Sequence, residues 1–414
     1  MFSFLKKLGP GLLFAGAAIG VSHLVQSTRA GADFGLGLLW ALLLVNLFKY
    51  PFFQFGPRYA AATGESLLEG YYKLGKGILI AYFILSIATM FTIQTAVTIV
   101  TAGLANSLFG DVSILNFGIE TISSVEIWTI IILLICLFIL FLGKYRTLDK
   151  LIKVIIITLT ISTLLAVSFA YTEFTLPLSI VQIFPENTTE IAFLIAFMGW
   201  MPAPLDISVW HSIWAVEKKK DEGLFTPKEA LLDFNVGYIG AILLGIAFVC
   251  LGYFVMFQSG ETFSNKAAIF SNQLINLYTN SLGNWAYIII GIAGFTTMFS
   301  TTITTLDASP RAMAKSLDLL SNKVYKNGYL LWILLLTLGT IFIFFALASE
   351  MGLLVKIATI LSFITAPFYA IINYVLITSK HTPEEWKPNS KIRVLSWAGI
   401  IFLLGFSIWY LTIL

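Results

Sequence analysis

The sequence predicts an all-α polytopic membrane protein, and two observations carry that prediction. Of 414 residues, 58% are hydrophobic and only 11% charged, with a mean hydropathy of +0.89. Soluble chains carry about 25% charged residues, so this one lacks the charge to cover a water-exposed surface. The second observation is a series of apolar stretches, each near the roughly 20 residues that a helix needs to cross the hydrocarbon. They fall at about 8–29, 35–57, 77–106, 127–142, 151–171, 191–216, 230–256, 285–306, 330–348, 353–377 and 394–413, which makes eleven spans. The connections are short, so residues 1–414 read as one transmembrane domain. The composition excludes a disordered chain, a nucleic-acid binder and a secreted disulfide scaffold. The only cysteines, Cys136 and Cys250, each lie inside an apolar run.

The first span is expected to remain in the protein rather than serve as a cleaved leader. No A-x-A-like site follows Leu24, and the segment runs through Ser27-Thr28-Arg29 into the next span. Orientation follows from the distribution of Lys and Arg over short loops. With the N-terminus in the cytoplasm, 21 of the 25 basic residues fall in inner segments, including Lys6, Lys7, Lys144, Lys218, Lys219 and Lys220. The outer loops carry Asp111, Glu120, Glu126, Glu173, Glu186 and Glu190 with almost no bases. Eleven spans then put the C-terminus outside. An integral protein of a bacterial plasma membrane is the expectation.

Spans 1 and 6 are poorly built as continuous helices. Span 1 carries Gly16 and Gly20, then Ser22, His23, Gln26, Ser27 and Arg29; span 6 carries Gly199, Pro202 and Pro204 at its middle. A proline lacks an N–H and clashes with the carbonyl four residues back, so Pro202 frees the carbonyl of Met198 and Pro204 that of Trp200. Hydrocarbon does not tolerate bare backbone groups unless they line a cavity or bind something. The two broken spans open two consecutive five-span sets, about 8–171 and 191–377, with an extra helix at about 394–413. Interrupted helices at matching positions of two halves point to an inverted-repeat transporter with a central site.

On these residues the chain resembles the Nramp (natural resistance-associated macrophage protein) family of divalent-metal transporters. The frame that carries the resemblance is Gly9-Pro10-Gly11, Ala30-Gly31-Ala32 and Leu38-Leu39-Trp40, with Met201-Pro202 in span 6 and Ser300-Thr301-Thr302-Ile303-Thr304 in span 8. It covers spans 1 to 10 and implies a LeuT-type five-plus-five inverted repeat with broken helices 1 and 6. It also implies a divalent metal ion as cargo rather than cofactor, with the lipid bilayer as surroundings.

The chemistry departs from that pattern. Where the family carries Asp-Pro-Gly-Asn, this chain has Gly20, Val21, Ser22 and His23; where it carries a helix-6 histidine, this chain has Ala203. The resemblance places the metal at Gly20 and His23, at the Met201 sulfur and at the Met198 carbonyl. Asp206, one turn later, is an added acid. The expected metal ligands are His23, Met201 and Asp206, with Ser22, Gln26, Gln94 and Thr95 behind them. Imidazole and thioether favour transition metals of the Mn, Fe, Co, Ni, Cu and Zn series over Mg or Ca.

Blander readings stay open. His23 can be a packing histidine, Met201 ordinary apolar filling, and Asp206 a partner of Arg29. Lys49 is read as snorkelling to the inner headgroups, Asp233 as an acid beside the dipole of its own helix, His211 as lying near an inner loop, and Asp307 as pairing with Arg311.

No Walker A, HExxH or Gly-x-Ser-x-Gly sequence is present, so no enzyme or ATP-driven pump is expected. Span 3 offers Gln94, Thr95 and Thr98 but no carboxylate, so proton coupling is expected to be weak or absent. The reading is import of Mn- or Fe-like ions by a secondary transporter. The rivals are a symporter of a small organic solute such as an amino acid, and a non-transporting sensor.

Overall fold

In the computed structural model the described residues are 9–112, 122–142, 145–222, 226–257, 263–346 and 350–413. Lys6, Lys7, Glu120 and Lys144, named above, lie outside them. Span 1 is α1 (Pro10–Ala18), a break at Ile19 and Gly20, a π-helical turn (Ser22–Ser27) and α2 (Thr28–Phe34). Its two parts meet at 46°. Span 2 is α3 (Leu39–Thr63), followed by a short loop helix α4 (Leu67–Leu74). Spans 3, 4 and 5 are α5 (Lys76–Phe109), α6 (Ser124–Phe141) and α7 (Tyr145–Glu173). Span 6 is split into α8 (Thr188–Trp200) and α9 (Ile207–Glu222), and span 7 is α10 (Pro227–Met256). A loop helix α11 (Ala267–Leu282) precedes span 8, α12 (Ala286–Ser321). Spans 9, 10 and 11 are α13 (Gly328–Ala346), α14 (Met351–Thr378) and α15 (Ser390–Ile413).

Among the described residues, seven helices are long and apolar enough to cross a bilayer, and eight if the bent span 1 is one crossing. Spans 2, 5 and 6 are not among these; in span 5 the apolar helix counted is the shorter Ile157–Glu173. α3 is 25 residues long but carries Asn46, Lys49, Gln54 and Arg58, and span 6 is divided into halves. Span 8 runs well past the apolar stretch that marks it, through Pro310 to Ser321.

The two loop helices were not among the expected elements. A capping box starts α4: Glu69 accepts the backbone N–H of Ser66 at 2.7 Å. The Ser66-x-x-Glu69 spacing is its sequence signal.

Span 1 is wedged against span 7 without intervening side chains. A Cβ added at Gly11 would stand 2.1 Å from the Asp233 carbonyl oxygen, and one at Gly237 would stand 2.1 Å from that of Gly11. At the other end the corresponding distances are 2.0 Å from Gly31 to the Val249 oxygen and 2.1 Å from Gly252 to the Thr28 oxygen. Close backbone approach at small residues is how helices pack when the surrounding solvent is as apolar as their side chains.

Asp233 fixes the same contact. Its carboxylate accepts the backbone N–H groups of Gly9 at 3.0 Å and Gly11 at 2.8 Å. The acid therefore serves the N-terminus of span 1 and not that of its own helix, correcting the sequence expectation. The physical reason is that four N–H groups at a helix start lack intrahelical partners, and Asp233 faces those of α1.

Basic and acidic residues of the predicted inner segments gather at one end of the bundle. Lys315 pairs with Glu69 at 3.0 Å, and Arg311 lies 2.7 Å from Asp307 and 3.8 Å from Glu217. Arg58 donates to the carbonyls of Trp386 and Lys387 at 2.7 and 2.9 Å.

Candidate functional site

The break in span 1 follows from Gly20. Its Cβ position is occupied from outside: an added carbon would meet Thr301 Oγ1 at 2.9 Å and Cγ2 at 3.1 Å. The Thr301 hydroxyl faces the carbonyls of Gly16 at 3.3 Å and Ile19 at 3.5 Å, and that of Thr297 in its own helix at 3.2 Å. Span 8 thus supplies a donor at the carbonyls exposed by the break. Beyond it the chain passes through the π turn, in which Ser27 Oγ donates to the Ser22 carbonyl at 3.0 Å. Such turns commonly mark functional positions in helices.

His23 is fully buried, and both its nitrogens are engaged. Nδ1 lies 2.7 Å from Ser22 Oγ, and Nε2 lies 2.9 Å from the Ala241 carbonyl of span 7. A carbonyl can only accept, so Nε2 carries hydrogen. Ser22 Oγ also reaches the carbonyls of Ala18 at 2.9 Å and Pro202 at 3.2 Å, linking the two breaks directly.

The break in span 6 covers residues 201–206, between α8 and α9. The ammonium of Lys49 lies at its carbonyls: Met198 at 2.8 Å, Gly199 at 2.7 Å, Met201 at 3.3 Å and Ala203 at 3.3 Å. The expectation that Lys49 snorkels to the headgroups is therefore corrected; its side chain is fully buried. It sits ten residues into α3, about 15 Å along the helix axis, near the middle of a hydrocarbon layer about 30 Å thick. From there a bare carbonyl cluster is closer than the interface.

Met201 packs against span 7. A Cβ on Gly245 of span 7 would lie 2.6 Å from its methyl and 3.5 Å from its sulfur. Asp206 is buried, and its Oδ1 has no hydrogen-bond partner. Arg29, the alternative partner, instead donates to the Ser264 carbonyl at 2.7 Å and to Asn265 Oδ1 at 3.2 Å.

Gln94 bridges spans 3 and 8. Its amide donates to the Thr302 carbonyl at 3.2 Å, and its oxygen accepts from Thr305 at 2.7 Å. Thr95 donates along its own helix to the Phe91 carbonyl at 2.7 Å. Gln26 lies in a vestibule of about 330 Å³, at the end predicted to be the outer one, with Arg29, Asn265, Glu350 and Lys356. A vestibule of about 290 Å³ at the opposite end is bordered by Glu69, Glu217, Lys220, Arg311 and Lys315.

Between the breaks lies a central cavity of about 20 Å³, walled by Ser22, Val97, Trp200, Trp210, Thr301 and Thr305. That volume holds about one water-sized particle. Its hydroxyl-bearing residues are Ser22, Thr301 and Thr305. His23, Met201 and Asp206 do not line it, so the structure does not bring the expected ligands to one wall. Among the described residues no group of three or more His, Cys, Asp or Glu side chains forms a metal cluster.

The sequence reading missed Lys49 and Thr301 as the groups that occupy the two breaks. It also misplaced His211, which is buried in α9, stacked on Phe14 at 5.5 Å and near Phe234 at 5.8 Å. Both its ring nitrogens lack a hydrogen-bond partner. The signal for Lys49 was its depth within span 2; Thr301 and His211 had none.

Two helices broken at matching places in two five-span sets, meeting over a central cavity, define a membrane protein of the LeuT-type inverted-repeat fold. Solved structures agree at the level of fold. A manganese transporter of Eremococcus coleocola superposes with a TM-score of 0.68 at 16% identity, over 98% of this chain and 86% of that one. MhsT in complex with L-phenylalanine gives 0.65 at 13% identity, over 96% and 98%.

In sequence, the Pasteurella multocida protein PM0681 is 36% identical over 410 residues, spanning 98% of this chain and 91% of the relative. The rice metal transporter Nramp3 is 25% identical over 433 residues, spanning 99% and 74%. The family profile described as natural resistance-associated macrophage protein-like matches residues 11–412. The chain belongs to the Nramp family, whose members are transporters and not enzymes.

Proposed function

We propose that this chain is a secondary transporter that moves a divalent metal ion across the membrane through the space between the breaks of spans 1 and 6. The observation that carries the reading is the pairing of these breaks over one cavity in a chain of this family. The relatives named a manganese transporter and a metal transporter lend it support.

Ser22, Thr301 and Thr305 stand in the cavity wall; their hydroxyls are bonded to protein and turn to the ion as the site opens, and Asp206 has an oxygen without a hydrogen-bond partner. Oxygen donors suit a manganese-like ion. In this proposal Asp206 is the ion's carboxylate, reached as the site opens. His23, Met201, Gly20 and the Met198 carbonyl lie behind the cavity wall and are taken as its support: His23 bonds to Ala241, the Met198 carbonyl to Lys49, Met201 packs at Gly245 and Gly20 at Thr301.

The two repeats are taken as about 8–171 and 191–377. The basic end of the bundle is taken as cytoplasmic, in a bacterial plasma membrane with the C-terminus outside, so that import runs from the outer vestibule. Proton coupling is weak or absent: Gln94 and Thr95 cannot hold and release a proton near neutral pH, and both are hydrogen-bonded to protein.

A second reading, transport of a small organic solute, is favoured by Trp200 and Trp210 in the cavity wall. Proteoliposome uptake of labelled manganese, iron and amino acids, with an internal pH dye, tests both. Saturable manganese uptake without metal-dependent acidification is expected. Amino-acid uptake alone would establish the second reading, and uptake of none of them would favour a sensor.

A further inference from the structure

The break in span 6 has the form of a cation site. Helix α8 ends at Trp200, so its last carbonyls lack partners and carry the negative end of the helix dipole. Four carbonyl oxygens converge, those of Met198, Gly199, Met201 and Ala203, and the buried Asp206 belongs to the same break. Unwound carbonyls at a broken helix are the groups with which this class of fold coordinates sodium. Here the Lys49 ammonium stands among them, 2.7 and 2.8 Å from the two nearest oxygens.

We propose that Lys49 is the resident cation of the span-6 break, holding by a covalent tether the place that a dissolved alkali ion would otherwise take. The chemistry fits lysine in particular. An ammonium is a compact charge with three rotatable donors, whereas a guanidinium is a planar fork. Three protons serve the two short contacts and the two longer, shared ones. The charge offsets Asp206, and the carbonyls need no ion from solution. The protein therefore has no requirement for sodium or potassium at this site, whichever solute it carries.

Removing the ammonium leaves the carbonyls and Asp206 uncompensated, and a dissolved cation can then bind. The test is thermal unfolding of the purified full-length protein in sodium, potassium, methylammonium or choline chloride at one ionic strength. The wild type is expected to unfold at the same temperature in all four. Lys49→Ala and Lys49→Gln are expected to unfold earlier in choline and to regain about 2 °C or more in sodium or methylammonium, in a concentration-dependent way.

A variant recoverable only from buffers containing such a cation also supports the proposal. Four outcomes overturn it: a sodium-dependent rise in the wild type as large as in the variants; variants indifferent to all cations; variants as stable as wild type in choline; or failure of both variants to fold in every buffer. Cargo uptake is not read, so this result and that of the transport assay are independent.

Discussion

Ser22 Oγ lies 3.2 Å from the Pro202 carbonyl oxygen, a contact that joins the two broken spans across 180 residues of sequence. The same hydroxyl touches His23 and the Ala18 carbonyl, so local order in span 1 depends on the position of span 6. A transporter that opens by separating these spans must give up this contact. Neither of the surrounding breaks has been left to solvent: Thr301 serves one and Lys49 the other.

Asp206→Asn is expected to weaken manganese binding at least about tenfold, because the site loses a carboxylate's negative charge and a tenfold change is only about 1.4 kcal/mol. Met201→Leu, which swaps one apolar packing group for another beside Gly245, is expected to leave binding within about twofold and to cost less than about 1.5 kcal/mol of stability. Isothermal titration on both variants decides; equal losses would return the thioether to the ion.

For His23→Ala the expected effect is on folding. The Ala241 carbonyl loses its side-chain donor in a buried setting, at a cost of about 1–3 kcal/mol, while Ser22 keeps the Ala18 and Pro202 carbonyls. A lowered unfolding temperature together with manganese affinity within about twofold of wild type is the predicted pair of results. A stable variant with lost affinity would make His23 a ligand.

Restoring the family's acid by Gly20→Asp should fail on its own, since the new Cβ would stand 2.9 Å from Thr301 Oγ1. Overpacking of this kind costs about 1–3 kcal/mol. The double variant Gly20→Asp with Thr301→Ala is expected to recover stability and to bind manganese more tightly than Gly20→Ala with Thr301→Ala. A stable single variant would show that Thr301 gives way without cost.

Glycine replacement separates contact from mere sequence position. Gly31→Ala places a carbon 2.0 Å from the Val249 oxygen, whereas one at Gly240 meets nothing within 4 Å. Thermal unfolding in detergent should fall clearly for the first and hardly change for the second. Equal effects would mean that spans 1 and 7 relax apart without cost.

Much of the architecture was legible in sequence because a membrane imposes a coarse and unforgiving code. Apolar length marks the continuous spans, Gly20 marks the bend in span 1, and Pro202 and Pro204 mark the gap in span 6. The pair of Asp307 with Arg311, one helical turn apart, was legible for the same local reason.

What escaped was the identity of the long-range partners. A freed carbonyl can be predicted from a proline, but the donor that answers it lies elsewhere in the chain, 149 residues away for Lys49 and Met198. Asp233 was misread in the same way, as an acid serving its own helix when it serves another. His23 shows the converse: an intramembrane imidazole suggests a ligand by its chemistry, yet its two nitrogens are spent on Ser22 and Ala241.

The glycine contacts between spans 1 and 7, with the carboxylate of Asp233 at the Gly11 end, carry a mechanical consequence. Backbone lies on backbone at Gly11 against Gly237 and at Gly31 against Gly252, so neither helix can slide past the other without collision. Each half of span 1 is therefore a lever arm riveted to its stretch of span 7. The soft point left between the rivets is Gly20, which makes it the fulcrum: the two arms can tilt about it, and any rocking of span 1 must be passed on as flexure along the whole length of span 7.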